Sequence, residues 1–120
     1  MKIVHFGVSS PRFNAAKTTA SHEYAIFDPD IDCAFIKVAG QYPGDDKFVI
    51  NTGVKEVIFV VEGAGVIDLK GPDGYVATRK FEKFDVIFID VGDIYRIDAH
   101  ANLCVSCAPP WSPEQQKIVG

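Results

Sequence analysis

Short runs of β-branched and aromatic residues follow one another at close intervals along this chain, and no helical stripe interrupts them. Val57–Val61 reads VIFVV and Val86–Ile89 reads VIFI, compositions that favour strands. Asp32–Val38, Lys47–Thr52, Val66–Leu69, Tyr75–Lys80, Ile94–Ala99 and Leu103–Cys107 extend the set, with weaker candidates at Lys2–Phe6 and Tyr24–Phe27. Turn chemistry separates them. Glu62-Gly63-Ala64-Gly65 reads as a hairpin connection, Pro72-Asp73-Gly74 carries the strong Asp-Gly pair, and Asp90-Val91-Gly92-Asp93 forms a third turn. The one helix candidate is Ser112–Lys117, with Ser112 as cap, Pro113 at the first position and Glu114 in the first turn. Strands packed this closely predict an all-β sandwich or small antiparallel barrel.

A chain of 120 residues is one domain's worth. Its 48% hydrophobic content supplies a core and excludes whole-chain disorder. Twelve basic against sixteen acidic residues give a net charge of −4, with no basic excess for phosphates, so nucleic acid is not an expected partner. No apolar run approaches the roughly 20 residues of a membrane helix, and the opening MKIVHFGVSS is too short for a secretory core, so the expected compartment is the cytoplasm and no membrane partner is expected. Residues 1–23 read as an N-terminal strand and loop arm, 24–108 as the barrel and 109–120 as a C-terminal tail, with 9–22 polar and pattern-poor. VIFVV and VIFI are apolar at every position, so both faces of those strands need cover. A second sheet layer or a partner subunit could supply it, and the latter predicts a homodimer.

The three cysteines, Cys33, Cys104 and Cys107, do not form an even disulfide framework. Cys104-x-x-Cys107 lies in a strand rather than at a helix N-terminus, and strand residues three apart face opposite ways. The two thiols should diverge as structural groups.

The stretch from Gly44 to His100 resembles the cupin superfamily. The first cupin motif is Gly, five residues, His-x-His, three or four residues, Glu, six residues, Gly. Taken with three residues before the Glu, Gly44, Glu56 and Gly63 keep their places, while Ile50 and Thr52 stand where the histidines belong. In the second motif, aligned on Gly92, Phe84 replaces a Gly, Asp90 a Pro, Tyr95 the His and Ala99 an Asn. The tail Ala108-Pro109-Pro110-Trp111 resembles small single-domain cupins near the mannose-6-phosphate isomerase-like group. The resemblance implies a jelly-roll barrel, also called a double-stranded β-helix, with a degenerate metal site.

Cupin metal sites use three His and one Glu. Carried over singly, those positions give Ile50, Thr52, Glu56 and Tyr95, a donor set that predicts no metal and no other cofactor. Glu56, if it faces an apolar lumen, must find donors or protonate, which makes it a general-base candidate; otherwise it is a strand-end carboxylate paired with Lys55 or Arg96. Tyr95 is either a core aromatic or the hydroxyl partner of Glu56. Thr52 offers a hydroxyl if inward, and Lys37 a cation if lumenal rather than snorkelling outward. Trp111, with Phe13 and Tyr42, could lid the barrel. The expected function is binding of a small sugar-like or carboxylate ligand through Thr52, Glu56, Tyr95, Lys37 and Trp111. The enzymatic alternative is a metal-independent sugar isomerase or epimerase using Glu56 and Tyr95. A third reading is a structural or regulatory dimer.

Overall fold

The computed structural model describes residues 1–8, 10–24 and 27–120, without the side chain of residue 8. The weak strand expected over Tyr24–Phe27 spans two positions outside the described residues. Nine strands follow in chain order: β1 (Pro11–Phe13), β2 (Thr19–Glu23), β3 (Ala34–Tyr42), β4 (Phe48–Asn51), β5 (Lys55–Lys70), β6 (Val76–Glu82), β7 (Val86–Ile89), β8 (Ile94–Ala108) and β9 (Gln116–Val119). Every pairing among the described residues is antiparallel. One path runs β1-β2-β3-β8-β4-β9, and β5 joins it through β8 while carrying β6 and β7 on its other side. The sheet curls into a half-barrel, the all-β class expected. No helix among the described residues is long and apolar enough to cross a membrane.

Two long strands organise the curl. β8 alternates without a break, its odd positions Tyr95 through Cys107 buried and its even positions outward. The sequence signals split it into Ile94–Ala99 and Leu103–Cys107, but one continuous period-2 pattern carries the strand through. β5 is likewise continuous where a hairpin was expected. Glu62-Gly63-Ala64-Gly65 is not a turn: a register shift between Val60 and Glu62 is a β-bulge within the strand. A Cβ on Gly65 would sit 2.3 Å from the Cβ of Ala99, so this glycine lets β5 and β8 approach closely. The bulge also switches parity. Glu56, Ile58 and Val60 face inward before it, and Ile67 after it.

The expected turns at Asp73-Gly74 and Asp90–Asp93 form, with Gly74 and Gly92 at φ +84° and +89°. Phe84, standing where the cupin motif has glycine, keeps a left-handed backbone at φ +74°. The tail does not form the expected helix. Pro113–Gln115 makes one 3-10 turn, Ser112 lends no side-chain cap, and the chain then extends into β9 against β4. Residues 11–23 are not a loop; β1 and β2 form a hairpin paired to β3. Asn14 closes it, accepting from the Thr18 and Thr19 N–H groups at 2.8 and 3.0 Å. Lys2–Phe6 is not a strand.

The core gathers the inward residues of β3, β4, β5, β6, β7 and β8, with Val49, Ile58, Val60, Ile89 and Leu103 essentially sealed from solvent. Each such aliphatic side chain contributes about 1.5–3 kcal/mol relative to exposure. The outward residues of VIFVV and VIFI have no second layer among the described residues. Val57, Phe59, Val86 and Phe88 are 45%, 39%, 61% and 57% exposed, so the cover anticipated for this face is not supplied among the described residues.

Candidate functional site

A cavity of about 280 Å³ opens inside the curl. Its floor is aliphatic, from Ile36, Val38, Ile58, Ile97, Leu103 and Val105. Polar groups enter from β5, β8, the N-terminal hairpin and the tail. Among the described residues its charged lining is Arg12, Glu23, Asp32 and Glu56, one guanidinium against three carboxylates.

Glu56 occupies an inward position of β5, opposite Cys107 of β8, and is only 6% exposed. Its Oε1 accepts from Asn51 Nδ2 at 2.6 Å and from the Tyr95 hydroxyl at 3.4 Å, long enough that Asn51 is the stronger partner. No protein donor among the described residues is recorded for Oε2, and the residue lines the cavity. Burial pushes the Glu56 carboxyl above its usual range, while the Asn51 and Tyr95 hydrogen bonds pull it back and the Asp32 charge adds to the rise. Burial, then the Glu56 charge, pushes the Tyr95 hydroxyl well above its usual value, so it acts as a donor. The alternative of a surface carboxylate is not what forms: Arg96 pairs instead with Asp68 at 2.7 Å.

Asn51 is one of the residues that the sequence reading missed. It is fully buried at the end of β4, and its Oδ1 accepts from Gln115 and Gln116 Nε2 at 3.0 and 3.1 Å. Tyr42 in turn donates to Gln116 Oε1 at 2.7 Å. The hydrogen bonds from Tyr42 through Gln116 and Asn51 all point toward Glu56, a polarised chain that ends on a carboxylate oxygen. The inward residues of β4 are Val49 and Asn51, four residues short of Glu56, so the longer of the two motif spacings applies. Ile50 and Thr52 therefore face away from the cavity.

Two further anchors shape the mouth. Asp32 accepts the Cys107 N–H at 2.7 Å and the Trp111 N–H at 2.8 Å, tying the tail to β8 and bringing Trp111 to the cavity wall. Arg12 lies over the Trp111 ring, 4.9 Å from its centroid, and bonds Glu23 Oε2 at 3.2 Å. Phe13 and Tyr42 join Trp111 in the lining.

The structure thus brings together Glu56, Tyr95 and Trp111 and separates two other candidates from them. Thr52 is exposed, its hydroxyl donating to the Gln115 carbonyl outside the cavity. Lys37 alternates with the inward Ile36 and Val38 and points to solvent. Neither lines this cavity. Thr52→Ala and Lys37→Ala are accordingly expected to change ligand affinity less than twofold by calorimetry; a tenfold loss in either would contradict the placement.

The donor set does not fit a cupin-type metal. Val49 and Asn51 stand at the first-motif histidine positions, Asn51 Oδ1 is already a double acceptor, and Tyr95 is held as a neutral phenol. Among the described residues no group of three or more His, Cys, Asp or Glu is placed to hold an ion. His5, His22 and His100 lie outside the cavity lining.

No family model and no curated protein matches the chain. Solved structures do. PAC13 from Streptomyces, solved with uridine and described as a nucleoside dehydratase, matches with TM-score 0.84 at 14% identity over 99% of this chain and 90% of its own. KdgF from Halomonas sp. matches with TM-score 0.69 at 13% identity, covering 95% of this chain and 98% of its own. The polyketide cyclase RemF from Streptomyces resistomycificus matches with TM-score 0.72 at 18% identity, covering 100% and 84%. These are cupin-fold proteins, and this chain has the cupin fold.

Proposed function

We propose that the chain binds a small neutral polar molecule bearing a sugar-like part in the cavity, and that Glu56 moves a proton on it. The observation that carries this reading is the asymmetry of the carboxyl. Oε1 is held by Asn51 and Tyr95, which leaves Oε2 as the oxygen able to exchange a proton with a ligand. The aliphatic floor with a few convergent polar groups is the usual anatomy of a ligand site, and the aromatic wall of Trp111, Phe13 and Tyr42 suits a flat ring.

Charge narrows the ligand. Arg12 is engaged by Glu23, and both Asp32 oxygens are engaged by backbone N–H groups. An anionic ligand would meet an acidic lining with no uncommitted cation among the described residues, an expensive arrangement in a partly desolvated site. This disfavours the carboxylate and sugar-phosphate ligands and leaves neutral sugars and nucleosides. A nucleoside is the natural first probe, because PAC13 was solved with uridine. Aldose–ketose isomerisation, the chemistry implied by the tail's likeness to the mannose-6-phosphate isomerase-like group, needs the same proton transfer beside a carbonyl.

The test is thermal unfolding and calorimetry with uridine, neutral monosaccharides and their phosphates. A neutral compound is expected to raise the melting temperature, corresponding to about 2.7 kcal/mol at a hundredfold excess over Kd. Its phosphorylated form is expected to bind at least tenfold more weakly. Stronger binding by the phosphate would overturn the charge argument, and silence from every neutral compound at millimolar concentration would overturn the binding reading.

A further inference from the structure

Cys33 lies one residue before β3, and Cys104 lies in β8. The register sets Ala34 opposite Val105 and Phe35 opposite Cys104, which makes Cys33 and Cys104 diagonal neighbours on the outward side of the β3–β8 ladder. Their Sγ atoms are 3.6 Å apart as free thiols. Cys107, three residues on, is buried on the opposite face against the cavity. The C-x-x-C spacing therefore conceals the real pair, whose members are 71 residues apart in sequence.

We propose that Cys33 and Cys104 form a reversible disulfide in the presence of a low-molecular-weight disulfide of the glutathione class. One thiolate attacks the small disulfide, forming a mixed disulfide and expelling one small thiol. The second cysteine attacks the protein-side sulfur, forming the Cys33–Cys104 bond and expelling the other small thiol. The two protein sulfurs are oxidised, the small disulfide is reduced, and the two thiol protons pass to the two leaving thiolates. The sulfurs start in contact, and closing to a bond of about 2.0 Å asks for side-chain rotation of little more than an ångström and a half. Burial, then the neighbouring Cys104, pushes the Cys33 thiol up to about 11, so Cys33 rests as a thiol at neutral pH.

The consequence reaches the cavity. Cys33 directly follows Asp32, whose carboxylate holds the Trp111 N–H and the Cys107 N–H. A bond at Cys33 ties that anchor covalently to β8 and stiffens the wall that carries Trp111.

The experiment incubates the full chain with millimolar oxidised glutathione, then counts thiols and maps linked peptides by mass spectrometry. Free thiols counted after denaturation are expected to fall from three to one, with a dithiothreitol-reversible link between the peptides holding Cys33 and Cys104 and a rise of roughly 5 °C or more in melting temperature. Cys33→Ser and Cys104→Ser should each stop at a glutathione adduct on the remaining member, while Cys107→Ser should still bridge. Glutathione adducts without a bridge in the parent chain, or a link that includes Cys107, would overturn the proposal. The bridge is independent of ligand identity, so its failure leaves the binding reading untouched.

Discussion

Asn51→Leu is expected to destabilise the protein by about 3 kcal/mol in urea unfolding, far more than the loss of one hydrogen bond. Asn51 is fully buried and satisfies three partners at once: it donates to Glu56 and accepts from Gln115 and Gln116. Leucine fills the space but leaves a buried carboxyl without its main donor and two amides without an acceptor. The diagnosis has its own control. If the loss arises from the orphaned acid, Asn51→Leu combined with Glu56→Leu should recover part of it, because a missing charge is easier to bury than a bare one. A loss below about 1 kcal/mol in the single variant would mean that water enters and replaces the amide.

Glu56→Gln is expected to produce opposite changes in activity and stability. Proton exchange between solvent and the carbon beside a bound keto-sugar carbonyl should fall by about 10²–10⁴-fold, the usual contribution of a positioned acid–base group. Stability should rise at neutral and alkaline pH. The folded carboxyl binds its proton above the usual glutamate value of about 4.3, so its favourable contribution is complete below that value and lost as pH climbs through the raised folded value. Glutamine has no proton to lose and keeps the Asn51 hydrogen bond through its carbonyl. The melting-temperature difference between variant and parent should therefore be small in acid, widen with rising pH and then level off. Parallel curves from pH 4 to 9 would remove burial of the acid from the account. Asp68, held below its usual range by Thr78 and Arg96 despite the effect of burial, contributes with the opposite sign, but it does so equally in both proteins and cancels from the difference.

The sequence carried the strand-rich class and the turns at Asp73-Gly74 and Asp90–Asp93, and offered an inward Glu56 beside Tyr95 as one of two alternatives. These follow from local signals: period-2 burial, positive-φ residues and motif spacing. The glycines of 62–65 misled because glycine serves a tight turn and a close strand crossing equally well, and only the partner strand tells the two apart. Thr52 and Asn51 exchanged roles because the first motif admits two spacings. The longer one turns β4 over by one residue and reverses every face on it. The lining supplied by Arg12, Asp32 and Gln116 had no local signature. Those residues come from segments polar enough to read as arm and tail, and long-range pairing brings them to the cavity. The Cys33–Cys104 contact was hidden for the same reason: it depends on the β3–β8 register, not on spacing within either segment.

The hydrogen-bonded line from Tyr42 to Glu56 draws on β3, β4, β5 and β9, which meet only when the whole shell has assembled. A chain that threads any of these strands one step out of place still has oily residues to bury, but it strands an acid and several amides in the dark. The seam thus works as a proofreader of assembly, penalising near-miss arrangements that greasy packing alone would accept.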